Sequence, residues 1–116
     1  MKNHTVIKKY DIRIIEAPSD TVSIDDSARV RVSMYLDCTN KITRTETVVD
    51  TSGKMQKVIL SVHGTVVEGP YKPMCPAKRA VKDFFIHFPK PGGWFIEASG
   101  RKNGDKQEPT WMISVR

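Results

Sequence analysis

Between Ala28 and Cys38 the residues alternate without interruption: Ala28, Val30, Val32, Met34, Leu36 and Cys38 fall on one side, and Arg29, Arg31, Ser33, Tyr35 and Asp37 on the other. Side chains of an extended chain point to opposite faces with period two, whereas a helix repeats every 3.6 residues. Eleven residues on that period predict a strand with one face in a core and one in water. A one-sided strand needs a second layer to cover it, and the rest of the chain must supply that layer.

Other stretches carry the same signal. Tyr10, Ile12 and Ile14 share a face within the run Thr5–Ala17, and Val22 and Ile24 add a short edge segment. Ile42–Val49 is rich in Thr and Val, Asp50–Lys54 reads as a turn, and Met55–Val67 alternates again, so these form the two arms of a hairpin. Gly64, inside the second arm, marks a bulge or a close backbone approach. Three prolines in Glu68–Pro76 exclude regular structure there. The corner Pro89-Lys90-Pro91-Gly92-Gly93 separates a run ending at Phe88 from another in which Trp94, Ile96 and Ala98 point inward. Arg101–Glu108 reads as a polar hairpin loop, and Trp111, Ile113 and Val115 make a closing strand.

One segment fits two periods. Ala77, Ala80, Val81, Phe84, Phe85 and Phe88 lie on a helical stripe, while a strand puts Phe84, Ile86 and Phe88 on one face and Val81, Phe85 and His87 on the other. Aromatic and β-branched content and the corner after Phe88 favour a strand from about Val81, with room for one short helical turn at 77–80.

With 116 residues the chain is long enough for a single domain with one core, spanning 1–116. No apolar run approaches the roughly 20 residues of a membrane-spanning helix, so no membrane span is expected. The start of the sequence has no apolar h-region or small-residue cleavage site, which fits a cytosolic chain or the mature form of an exported one. A net charge of +6 permits anionic partners, but the basic residues are dispersed, which reads as a solvated surface and disfavours nucleic acid. His4, His63 and His87 have no metal-ligand spacing, no phosphate-cradling glycine motif occurs, and Cys75 with His63 or His87 is the only nucleophile–base pair that can be written. No catalytic residue, metal or cofactor is expected, and the chain reads as a non-enzyme.

Seven runs separated by turn signals predict an all-β fold. The strand ending at Ala17-Pro18, the alternating run Ala28–Cys38, the corner Phe88–Trp94 and the closing Trp111–Val115 together resemble the immunoglobulin-like β-sandwich modules of bacterial surface and periplasmic proteins. That resemblance implies about seven antiparallel strands, with Trp94 as the aromatic that follows the corner into the penultimate strand. It departs from antibody-type domains in having no cysteine on the penultimate strand. In the resembled plan the second strand lies antiparallel to the one beginning near Val81, which brings Cys38 beside Cys75 and implies a disulfide. The bond would close a loop worth about 4 kcal/mol in the chain-entropy account and place the protein outside the cytoplasm; without it the protein would be cytoplasmic.

The implied function is a non-catalytic, extracytoplasmic interaction or structural module with a protein or glycan partner. Tyr71, Lys72 and Met74 in the proline-rich loop, and Phe95 on an outer face, are the candidate contact residues. The alternative is a basic OB-like barrel that binds single-stranded nucleic acid or an anionic glycan on interleaved aromatics and cations.

Overall fold

The computed structural model describes residues 2–18, 21–99 and 111–116. Nine strands and no helix occur among them: β1 (His4–Lys9), β2 (Arg13–Glu16), β3 (Thr21–Val22), β4 (Ala28–Leu36), β5 (Lys41–Asp50), β6 (Gln56–Glu68), β7 (Lys78–Ile86), β8 (Gly92–Ala98) and β9 (Trp111–Val115). The fold is all-β, in two sheets. The smaller has the order β2-β4-β7, and the larger is built on β6, with β1, β5 and β8 as its neighbours and β9 and β3 beyond β8.

The long strand β6 is the spine of the larger sheet. One edge pairs with β5 over Lys57–Thr65. The other pairs first with β8, in parallel, over Gln56–Leu60, and then with β1, antiparallel, over His63–Glu68. Between those two ladders the Ser99 amide donates to Leu60 O and the Tyr10 amide to Val62 O, both at 2.9 Å, so the edge is filled along its length.

The alternation at Ala28–Leu36 does what its period requires. Val30 and Val32 are fully buried and Met34 nearly so, and they share one core with Ile12, Phe84, Ile86, Phe88, Val58, Leu60, Val62, Trp94, Ile96 and Val115 from both sheets. Phe88 and Trp94 meet with ring centroids 5.2 Å apart, and Trp94 Nε1 donates to Lys90 O at 3.0 Å, so the proline corner is closed by its own flanking aromatics.

Four expectations need correction. Residues 77–80 make no helical turn, because Lys78–Ala80 is already paired with Met34–Leu36 and its amide groups belong to that ladder. The strands number nine rather than seven among the described residues: the first run breaks after Lys9 and crosses between sheets, and Thr21–Val22 forms a strand of its own beside β9. They are not uniformly antiparallel, since β6–β8 and β3–β9 are parallel. The expected alternative of a barrel is not what forms either: among the described residues the two sheets do not join into a closed cylinder. The expected loop at 101–108 lies outside the described residues.

Gly64 is both a bulge partner and a close approach. The β5 register shifts between Ile42 and Arg44 opposite Gly64, and the Tyr10 ring lies on the same glycine. A Cβ there would stand 2.7 Å from Tyr10 Cε2 and the Tyr10 hydroxyl and would collide with Lys41 O. Gly64→Ala is therefore expected to destabilise the fold by about 2–4 kcal/mol, as overpacking against backbone does. Urea unfolding is the check, and a loss below half a kilocalorie would mean that Tyr10 can move aside.

Candidate functional site

The connection from β6 to β7, residues 69–77, is held at both ends. Gly69 turns the chain with φ +137°, in a region that side-chain-bearing residues rarely adopt, and packs on Asn3. Asn3 Oδ1 accepts from the Tyr71 amide at 2.9 Å, and the Lys72 amide donates to Gly69 O at 3.3 Å. At the far end Cys75 lies at disulfide distance from Cys38, with Cα atoms 6.1 Å apart and the bond formed. The pair meets because β4 and β7 run antiparallel with Leu36 opposite Lys78, so the end of one strand adjoins the start of the other.

The turn that carries Cys38 is itself fixed. Asp37 Oδ1 accepts from the Thr39 hydroxyl at 2.5 Å and the Thr39 amide at 2.8 Å, and Asn40 Oδ1 accepts from the Asp37 amide at 2.8 Å. The hydroxyl of Thr39 first, then its amide and the nearby Lys72 charge, hold the Asp37 carboxyl below the ordinary carboxylate range. Between turn and loop lies a shallow depression of about 630 Å³ lined by Asp37, Lys72, Pro73, Met74, Cys75 and Pro76.

The loop presents apolar side chains to water. Tyr71 is 73% exposed and Met74 100%. Tyr71, Lys72 and Met74 thus share one loop with the disulfide, while Phe95 does not join them. Phe95 is half-buried on the outer face of the larger sheet, opposite Lys57 and Met112, beside a depression edged by Asp50, Lys54 and Met55. From Lys57 to Glu68 the spine rises by roughly 36 Å, which puts Phe95 toward the other end of the larger sheet. Thr39-Asn40-Lys41 reads as a turn in the sequence, but Asn3 and Asp37, which also shape the loop, do not stand out there. The signal for Asp37 is Asp-x-Thr-Asn at a strand end, an Asx-turn pattern.

Cys75 is in a disulfide and has no thiol to activate. Among the described residues no three His, Cys, Asp or Glu side chains are grouped to hold a metal ion. On the outer face of the smaller sheet the arginines meet carboxylates: Arg29 binds Glu16 at 2.6 Å and Arg31 binds Asp83 at 2.8 Å. The Arg31 guanidinium draws the Asp83 carboxyl below its ordinary range, and hydrogen bonding with Asp83 raises Arg31 in return. These pairs are charge-neutral, so the net charge of +6 comes from cations elsewhere in the chain. The disulfide is compatible with an oxidising, extracytoplasmic compartment, and among the described residues no helix is long and apolar enough to cross a membrane.

No family model matches the chain, and neither does any curated protein or solved structure.

Two measurements test this geometry. Cys38→Ser/Cys75→Ser is expected to lower unfolding free energy by about 2–4 kcal/mol, with the intact protein lighter by two hydrogens than its reduced form under non-reducing mass analysis. The second is acid sensitivity. Asp37, Glu46, Asp50 and Asp83 all have carboxyls held low in the folded state, by hydrogen bonds from Thr39, Arg44, Ser52 and Arg31 respectively. Their stabilisation is complete above the unfolded carboxylate value, about 4, and is lost as pH falls through the lower folded values. Melting temperature should be flat above pH about 5 and fall below about 4, less steeply for Asp37→Asn.

Proposed function

We propose that the chain is a non-catalytic, extracytoplasmic interaction module on an immunoglobulin-like plan, of the kind built into bacterial surface and periplasmic proteins, and that it docks a protein partner through Tyr71, Lys72 and Met74. The observation that carries the reading is the exposure of Tyr71 and Met74 on a loop tied down by Asn3 at one end and by Cys38–Cys75 at the other. A tethered loop loses little conformational freedom when a partner binds, and aromatic and Met side chains supply contact area without demanding one geometry. The immunoglobulin-like part draws support from the antiparallel β4–β7 pair, from Trp94 in the core after the corner and from the closing strand β9. The parallel β6–β8 pairing is a departure from that plan.

The test is a photo-cross-linking residue at position 74 in cells expressing the protein, with position 95 as control. A discrete heavier protein adduct at 74, absent at 95 and lost on Tyr71→Ala with melting unchanged, is the expected result. A protease-resistant smear from a glycan would replace the protein partner, and equal labelling at both positions would remove the loop from the reading.

A further inference from the structure

The edges of the two sheets are not alike. At β7 Lys78 and Lys82 occupy the inward row, opposite Leu36 and Val32; at β1 Lys8 does so, opposite Gly64 and over the Tyr10 ring at 5.9 Å. The edge strand β3 has two residues and β2 four, with an irregularity between Ile14 and Glu16. Inward charges, shortness and irregularity are the ways natural proteins keep sheet edges from pairing with other chains. The exception is β5. Beyond its bulge, Arg44–Asp50 runs seven residues in regular register with β6 and bonds to no other strand among the described residues. Its inward row is Thr45, Thr47 and Val49, without charge, proline or glycine, and Val48 and Val49 are each 42% exposed.

Beyond the bulge no inward charge or irregularity blunts this edge, and its sequence is complementary to itself. We infer that Arg44–Asp50 is a self-association edge, at which β5 of a second copy pairs antiparallel about a two-fold axis through Thr47. In that register Arg44 faces Asp50 of the second copy, Thr45 faces Val49, Glu46 faces Val48 and Thr47 faces Thr47. The opposite charges of Arg44 and Asp50 meet twice, once at each end of the ladder. Other registers fail on the same residues. Centring on Glu46 puts Glu46 against Glu46, and centring on Val48 puts Glu46 against Asp50, both like-charge oppositions that destabilise a pair. Centring on Thr45 runs the ladder into the bulge at Ile42–Arg44. A slip by one residue sets the inward row of one copy against the outward row of the other, so the sheets could not continue with a common core side. Centring on Val49 leaves only Val48–Asp50 of the strand to pair. The Thr47 axis alone satisfies charge, face, bulge and length together.

Cysteine scanning of the disulfide-intact protein tests the register. Opposed residues of an antiparallel pair have Cα atoms about 4.5–5.5 Å apart, within reach of a disulfide. Thr47→Cys should form an intermolecular disulfide rapidly under mild oxidation. Thr45→Cys should not, because the two copies of residue 45 stand roughly 14 Å apart in this register. In sedimentation at submillimolar concentration the unmodified protein should reach the dimer mass, and Arg44→Glu, which opposes Asp50 with a second carboxylate, should weaken the dimer at least tenfold while keeping its β circular-dichroism spectrum. A monomer at submillimolar concentration overturns the inference, as does a dimer that is indifferent to Arg44→Glu. Cross-linking at 45 as fast as at 47, or at neither, overturns the register and the two-fold axis with it.

Discussion

The Tyr10 ring against Gly64 is the contact on which the rest of the molecule depends. Tyr10 is 3% exposed, its hydroxyl donates to Thr65 O at 2.6 Å, and its amide donates to Val62 O at 2.9 Å. It therefore grips β6 by both ends at the point where the chain leaves β1 in one sheet for β2 in the other. Its bulk fits only because residue 64 has no side chain, and the bulge that shifts β5 sits opposite that glycine. One aromatic ring thus fixes the crossing between sheets, the bulge, and hence where the regular part of β5 begins.

Much of this was legible in the chain and some was not, for separable reasons. Period two reveals faces: Val30 and Val32 share a side, Phe84, Ile86 and Phe88 share another, Trp94 and Ile96 point inward, and all are buried, whereas Ala98, expected inward with Trp94, is half-buried. Gly64 stood out because a glycine within a β-rich run has no packing value of its own. Alternation says nothing about which edge a strand pairs with or in which direction, so the parallel β6–β8 ladder left no trace in the residues. Tyr10, Ile12 and Ile14 keep one inward period through the crossing, which concealed the break between β1 and β2. At 77–80 the local helical stripe competed with a ladder to β4, and the long-range hydrogen bonds prevailed.

The candidate loop follows the same division. Its irregularity was written in three prolines, whereas the meeting of Cys38 with Cys75 was implied only by the resembled strand plan, whose antiparallel neighbours correspond to β4 and β7. The anchoring by Asn3 was not visible, since it depends on β1 returning to the end of β6, a contact across 68 residues of sequence. Phe95 was an outward aromatic like Tyr71, but an outer face extends over the whole sheet, and its register beside Lys57 separates the two.

The spine also determines how the molecule would carry a load. Residue His4 lies beside Glu68 at one end of β6, while Val115 lies beside Gly92 in the ladder that adjoins Gln56 at the other. A pull between the first and last described residues therefore acts along the strands. The β1–β6 and β8–β9 ladders would be strained in shear, with all their rungs sharing the force at once instead of opening one after another. The bonds of Arg116 N to Val22 O and Ile24 N to Arg116 O would hold the second grip point. A force applied between those two points would therefore meet the strands lengthwise.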